Sequence, residues 1–295
     1  MILVTGATGT VGKALVPQLL ERGEEVRVLV RDPRRLGRLR VEVRIALGGL
    51  TDLADARVTR QALRGVTTVI HLAAAIRDQP RARVEELNGL ATARLLRAAE
   101  AADIKRFVFF SAIDATEFQR TRFFRAKALA ERAVHASELD TTVFAPSIVY
   151  DRDDPWIRIQ RRLSLLPAIP ISGEGRARFE PIWAGDVARC VLADVERGSG
   201  SRRHELAGPE ELTYNEIARL VARSSGRDRA VVHVPLGLVH YGLAGLRRLV
   251  GDAAFATWEE AELMEVSMVS ERGPLDVRAL GIEPRRMAEV LGRTA

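Results

Sequence analysis

Short apolar runs alternate with amphipathic helical patterns through the first half of the chain. The runs have the length and continuous hydrophobicity of strands that are buried on both faces of a parallel sheet. They lie at Ile2–Thr5, Glu25–Val30, Val41–Ala46, Thr68–Leu72, Arg106–Ser111 and Thr142–Ala145. Helical periodicity lies between most of them, at Val11–Glu21, Asp55–Leu63, Arg81–Ala101 and Arg122–Ser137. This alternation predicts right-handed βαβ crossovers and an α/β fold, a doubly wound parallel sheet with helices on both faces.

The pattern changes beyond about residue 150, where prolines and glycines interrupt an irregular stretch. Helices are predicted after it at Ala184–Glu196, Asn215–Ser224 and Leu236–Val250, and a short strand at Val231–Val234. We therefore expect one domain over residues 1–150 and a small C-terminal α+β lobe over residues 151–295. Some segments of this lobe are expected to return to the main sheet.

A glycine-rich turn follows the first predicted strand and opens the first predicted helix. It has the sequence TGATGTVG over residues 5–12. Its three glycines allow a sharp turn, close approach of a pyrophosphate to the backbone and tight packing of helix on sheet, while the helix N-terminus offers free N–H groups. The turn therefore predicts a dinucleotide-binding Rossmann domain. The residues expected to contact the cofactor here are Gly6, Thr8, Gly9, Thr10, Val11 and Gly12.

The end of the second predicted strand bears on which dinucleotide is bound. Arg31 stands where an acidic residue would bind the adenosine ribose of NAD, and Arg35 follows closely. Guanidinium groups suit the 2′-phosphate of NADP, so these residues favour NADP(H). Asp32 leaves NAD(H) open as the second cofactor, and a solvated basic loop is the structural alternative.

Composition narrows the class of protein. The chain has 295 residues, of which 47% are hydrophobic and 28% charged, as in an ordinary globular protein. The single cysteine, Cys190, excludes a disulfide framework, and the five histidines lack metal-ligand spacing. The net charge of +6 comes from arginines spread along the chain, which does not indicate a nucleic-acid interface. Because no basic leader and no apolar run of spanning length are found, we expect a cytoplasmic protein without metal or nucleic acid.

Several motifs resemble the short-chain dehydrogenase/reductase superfamily in its extended and atypical, epimerase/dehydratase-like branches. TGATGTVG is similar to the family's TGxxGxxG loop, and HLAA at 71–74 to the strand that flanks its cofactor. Three further family segments are resembled by LNGLATARLLRAA, APSIVY and PIWAGDV. The resemblance runs nearly end to end. The likeness is strongest to the group related to the nucleotide-binding accessory subunit of respiratory complex I, and looser to NmrA-like proteins. It implies further cofactor contacts at Leu50, Leu72, Ala73, Ala74, Asn88, Pro146 and Ile148.

The catalytic segment departs from this family's pattern. The family usually carries Tyr-x-x-x-Lys, in which the lysine lowers the tyrosine's pKa and the phenol moves the proton that accompanies hydride transfer. This chain has Phe123 and Lys127 at those positions, and Ser111 where the family places its active-site serine. Since phenylalanine cannot ionise, the usual acid/base is missing. Tyr150 is a weak substitute because its segment normally contacts the cofactor, and Gly49 stands where the family's aspartate meets adenine.

Two functions are therefore open. The first is an NADP(H)-binding protein without the usual catalysis, acting as a nucleotide sensor or as an accessory protein. The second is an active NADPH-dependent reductase or isomerase/epimerase in which Ser111 or another non-tyrosine donor handles the proton and Lys127 holds the ribose. A strand-ending serine and an exposed helix lysine are the structural alternatives at these positions. The partner is a small-molecule substrate or another protein, and for Leu236–Val250 membrane contact is the weaker alternative to a helix that covers the cleft.

Overall fold

The computed structural model describes residues 1–198, 200–239 and 258–292. The strands are β1 (Ile2–Thr5), β2 (Val26–Val30), β3 (Arg44–Leu47), β4 (Thr68–His71), β5 (Arg106–Phe110), β6 (Asp140–Pro146), β7 (Val149–Tyr150), β8 (Ala168–Ser172), β9 (Arg178–Phe179), β10 (Ile182–Trp183), β11 (Arg202–Leu206), β12 (Leu212–Thr213) and β13 (Ala230–Val234). The longer helices are α1 (Thr10–Glu21), α2 (Ala56–Leu63), α3 (Ala91–Glu100), α4 (Arg122–His135), α5 (Pro155–Leu163), α6 (Ala184–Glu196) and α7 (Tyr214–Ser224). Short helices follow at Trp258–Leu263, Leu275–Ala279 and Met287–Leu291.

Seven parallel strands form the central sheet, in the order β11-β6-β5-β4-β1-β2-β3. The chain builds outward from β1 to β3 and then returns to the other side of β1 with β4. The strand order therefore reverses between β1 and β4, and ligands bind such sheets at the carboxyl ends of the strands beside this reversal. This is the doubly wound Rossmann arrangement that the periodicity predicted.

Alternating side chains of each strand fill the two faces of the sheet. Val4 and Val28 belong to the core under α1 and α6, while Leu3 and Leu29 belong to the core under α2, α3 and α4. All four are buried, which explains why the strands are apolar without interruption. Both layers bring helices against the same sheet, so the carboxyl ends of its strands form one well-supported edge.

Two predicted elements begin three or more residues later than expected. The strand predicted from Val41 begins at Arg44, since 3₁₀ turns occupy Pro33–Val41. The Asp32 carboxylate caps these turns by accepting the backbone N–H of Arg34. The helix predicted from Arg81 begins later, with a π-helical turn at Glu86–Leu90 that leads into α3. Local hydrogen bonds of this kind compete with regular structure and leave no trace in the apolar period.

The second half adds three two-stranded pairs among the described residues: β7 with β10, β8 with β13, and β9 with β12. The predicted helix Ala184–Glu196 is found with those bounds as α6, and α7 begins one residue earlier than predicted, after a capping box between Thr213 and Glu216. Strand β11 joins the main sheet beside β6. Most of the helix predicted at Leu236–Val250 lies outside the described residues. Within the described ranges, no helix has the length and apolar character needed to cross a membrane.

Candidate functional site

The turn between β1 and α1 requires glycine at two positions. Gly6 has a φ of +75°, and a Cβ there would lie 2.7 Å from the backbone nitrogen of Ala73. A Cβ on Gly12 would collide with the Gly6 carbonyl oxygen, which accepts the Gly9 N–H at 2.9 Å. Gly9 is the N-cap residue of α1, and it has no side chain that could accept a hydrogen bond. The N–H groups of the first helical turn are therefore left for an anion. Partly exposed side chains on the same turn belong to Thr8, Thr10 and Val11.

A buried hydrogen-bond chain ties this turn to β4 and α3. Thr5 Oγ1 lies 2.7 Å from His71 Nδ1, and His71 Nε2 lies 3.0 Å from Thr92 Oγ1. Since Thr92 Oγ1 donates to the Asn88 carbonyl at 2.6 Å, Nε2 carries the imidazole proton and Nδ1 accepts from Thr5. Burial, and then the charge of Lys127, lower the pKa of His71 to about 3. His71 is thus a neutral structural residue.

The loop after β4 is shaped by Asn88. Its Oδ1 accepts the Ala75 N–H at 3.0 Å, and its Nδ2 donates to the carbonyls of Ala75 and Val84 at 2.7 and 2.8 Å. This buried amide is therefore engaged with the backbone, and it acts on any bound molecule through the loop that it holds. Leu72 and Ala73 precede this loop, directly beside the glycine turn.

Arg31 lies at the same edge of the sheet, where β2 ends. The pairings of Thr5 with Leu29 and with His71 align the ends of β1, β2 and β4. The exposed Arg31 guanidinium donates to Gln79 Oε1 at 3.2 Å. Arg35 is also exposed, and among the described residues neither arginine pairs with a carboxylate. Two cationic groups are thus available at this edge.

Lys127 is buried at the other end of the site, rather than exposed on its helix. Its Nζ donates to the Phe110 carbonyl at 2.6 Å and lies 4.9 Å from the ring centroid of Phe109. Burial lowers the pKa of Lys127 to about 7, although Glu131 raises it in part. Phe123 lies one helical turn earlier on α4, and its ring centroid is 5.9 Å from Nζ. An apolar ring therefore stands beside an amine that is only partly protonated at neutral pH.

Ser111 follows β5 and extends its pairing with β6, because its N–H donates to the Phe144 carbonyl at 2.7 Å. Its hydroxyl is buried and has no hydrogen-bond partner among the described residues. A buried hydroxyl without a partner costs free energy, and a molecule bound beside Ser111 could supply the missing hydrogen bond. Two other predicted cofactor contacts, Pro146 and Ile148, use their carbonyls within the backbone. The Pro146 carbonyl accepts the Ile113 N–H at 3.0 Å, and the Ile148 carbonyl accepts the Ile182 N–H at 3.0 Å.

Tyr150 does not supply a replacement acid/base. It is fully buried in the apolar cluster of the second half, where burial and then the charge of Asp186 raise its pKa. A phenol in this position holds its proton tightly.

A second set of contacts at this edge had no signal in the sequence. Arg122 donates through two nitrogens to each of two carboxylates, those of Asp78 and Glu85, at 2.6–3.0 Å. This pairing holds the loop after β4 against the start of α4. Gln79, the partner of Arg31, lies in the same loop, so the loop connects both ends of the site. The groups lie 37 to 48 residues apart in sequence, which local patterns cannot relate.

Comparison with known proteins agrees with this geometry. A family model described as NAD(P)H-binding matches residues 6–174, more than half of the chain. The chain belongs to this family. The match includes the glycine turn, Arg31, Ser111 and Lys127, and the chain thus carries an NAD(P)-binding domain of the short-chain dehydrogenase/reductase type, as the motifs predicted.

Individual relatives extend the comparison. NADH dehydrogenase (ubiquinone) 1 alpha subcomplex subunit 9 of Arabidopsis thaliana is 29% identical over 229 residues, which cover 74% of this chain but only 56% of that protein. Photosystem II assembly factor Ycf39 of Guillardia theta is 30% identical over 241 residues, covering 81% of this chain and 74% of that protein. The UDP-glucose 4-epimerase of Thermus thermophilus, solved with NAD, shares the fold with a TM-score of 0.72 at 21% identity, over 98% of this chain and 96% of that one.

Proposed function

We propose that this protein binds NADP(H) and serves as a nucleotide sensor or accessory protein, without the Tyr–Lys chemistry of its superfamily. One observation carries the proposal. The ring of Phe123 lies 5.9 Å from the Lys127 amine, at the position one helical turn earlier, and it has no proton to give. The site therefore keeps the groups that hold a cofactor and lacks the group that usually moves the proton.

The residues present fit such a cofactor. The glycine turn of Gly6, Gly9 and Gly12 offers backbone N–H groups to the pyrophosphate, and Arg31, with Arg35, offers charge to a 2′-phosphate. By the same proposal Leu50, Leu72, Ala73 and Ala74 would continue the wall along the ends of the strands, and Pro146 and Ile148 would contact the nicotinamide end. The Ser111 hydroxyl, which has no hydrogen-bond partner among the described residues, and the Lys127 amine would complete the site there. A bound NADPH could supply a hydride to an enzyme's substrate, but in this proposal the chain binds and orients the cofactor without transferring that hydride.

Two relatives support an accessory role. One is named as a subunit of NADH dehydrogenase and the other as a photosystem II assembly factor. We propose by analogy that this protein has a protein partner, and we keep the cytoplasmic location as the prediction from its sequence.

The test uses NADPH deuterated at its transferable position. The protein is saturated with it, binding is followed by fluorescence, and a metabolite extract of the source organism is added and searched for deuterium by mass spectrometry. We expect tight binding without label transfer. Protein-dependent label in a metabolite, at enzyme rates, would overturn the proposal.

The second candidate is an active NADPH-dependent reductase or epimerase. Two observations favour it: Ser111 has a buried hydroxyl without a partner among the described residues, and the pKa of Lys127 is lowered to about 7 by burial. Both are properties of groups that take part in proton transfer. If label transfer is found and Ser111→Ala abolishes it while NADPH binding persists, this candidate replaces the first.

A further inference from the structure

Two glycines follow β3, and only the first is required by the backbone. Gly48 has a φ of +152°, in the range that side chains disfavour. Gly49 does not have a positive φ, so its conformation is open to any residue. Its N–H donates to the Asp52 carboxylate at 2.8 Å, a bond that a side chain at position 49 would not remove. The lack of a side chain at Gly49 therefore needs another explanation.

The explanation is the stem of Arg31. A Cβ on Gly49 would lie 2.7 Å from Cγ and 2.8 Å from Cδ of Arg31, closer than non-bonded carbon atoms approach. The pairing of Val30 with Leu47 places the residues after β2 and β3 side by side. A side chain at position 49 and the observed course of Arg31 thus exclude each other.

The Arg31 guanidinium makes a hydrogen bond but has no carboxylate partner among the described residues. It donates to the uncharged Gln79 Oε1 at 3.2 Å. The neighbouring carboxylates are turned toward backbone groups, since Asp32 accepts the Arg34 N–H at 3.0 Å and Asp52 accepts the Gly49 N–H. Arg31 therefore presents a positive charge at the edge of the sheet where the glycine turn lies.

We propose that Gly49 determines the specificity for NADP(H), because it leaves the space through which Arg31 reaches the 2′-phosphate. The inference rests on the proposed NADP(H) binding. Any side chain at position 49 displaces the arginine, and an acidic side chain also pairs with it and competes with the phosphate. Gly49 is in this sense a positioning residue that acts through Arg31.

The experiment measures dissociation constants for NADPH and NADH by fluorescence in five proteins: wild type, Gly49→Ala, Gly49→Asp, Arg31→Ala and the double variant Arg31→Ala/Gly49→Ala. Gly237→Ala is the matched control, since a Cβ there meets no atom of the described residues within 4 Å. Charge-assisted hydrogen bonds set the scale, so we expect Arg31→Ala to lower the preference for NADPH over NADH about tenfold or more. Gly49→Ala should lower it about fivefold and Gly49→Asp further, with NADH affinity nearly unchanged.

The double variant separates positioning from general disturbance. If Gly49 acts through Arg31, adding Gly49→Ala to Arg31→Ala has no further effect on the preference, because the group that it positions is gone. An additive loss in the double variant, an equal loss for both nucleotides, or an unchanged preference in Gly49→Ala would each overturn the inference. If Arg31→Ala itself leaves the preference unchanged, the proposed NADP(H) selectivity fails as well, and the two failures are thereby told apart.

Discussion

Replacing Lys127 by methionine should stabilise the protein, and more so at low pH. The side chain is 3% exposed, and burial lowers its pKa from 10.5 to about 7. Each unit of pKa difference corresponds to about 1.4 kcal/mol, so burying the ammonium costs up to about 5 kcal/mol wherever the native lysine is protonated. Methionine fills a similar volume without charge. It loses the hydrogen bond to the Phe110 carbonyl, which offsets about 1–2 kcal/mol at every pH.

The pH dependence separates these two effects. Below pH 7 the lysine is protonated in both the native and the unfolded protein, and the full cost applies. Between pH 7 and 10.5 only the unfolded chain holds the proton, so the cost falls steadily and vanishes above 10.5. At pH 9 about 2 kcal/mol remains, and the gain from Lys127→Met should therefore be about 3 kcal/mol larger at pH 6 than at pH 9.

Urea unfolding at both pH values measures the change in the free energy of unfolding, compared only where the m values of variant and wild type agree. Lys105→Met is the control, because Lys105 is exposed and its replacement removes an amine that is not buried. A Lys127 variant whose gain is equal at pH 6 and pH 9, or larger at pH 9, would refute the electrostatic reasoning. The same variant should bind NADPH more weakly, which titration would show.

Three further predictions concern the same site. NADPH affinity should fall as the pH rises above about 7, since Lys127 loses its positive charge there; fluorescence titration from pH 6 to 9 tests this, and a flat profile contradicts it. Phe123→Tyr should create or raise NADPH-dependent reduction of a ketone panel at least tenfold, since positioned acid/base groups contribute about 10²–10⁴-fold, and wild type that already reduces the panel equally well refutes it. Asn88→Ala should lower the free energy of unfolding by about 2–4 kcal/mol, because it removes three hydrogen bonds to buried backbone groups. A loss below about 0.5 kcal/mol in urea unfolding would contradict that role.

The sequence was most informative where local chemistry alone decides the structure. Continuous apolar runs predicted six strands of the central sheet, because strands buried on both faces need no alternation. The turn at 5–12 predicted its own conformation, since Gly6 and Gly12 stand where no Cβ fits. By contrast, the paired two-residue strands of the second half, such as β7 and β10, are too short for any period to be visible.

Contacts between loops were beyond the reach of the sequence. Arg122 could have faced solvent like other helix-starting arginines, and only the fold brings it to Asp78 and Glu85. The same holds for the contact of the Arg31 stem with Gly49. In the sequence the arginine and the glycine are two separate departures from the family pattern, while the structure relates them by sterics. Such relations depend on the register of β2 and β3, which residue types alone do not specify.

Three features at one edge of the sheet point to a ligand. Lys127 is a buried amine, Ser111 has a buried hydroxyl without a partner among the described residues, and Arg31 has a charge without a counter-ion there. Each of these features would be removed by a single ordinary substitution. Each would also find a partner in a bound ligand that has phosphates at one end and hydroxyls at the other. Departures from local rules are expected where a site binds something. A scaffold that binds no nucleotide has no physical reason to keep all three together, and for this reason we place the function in nucleotide binding even where the usual catalytic tyrosine is absent.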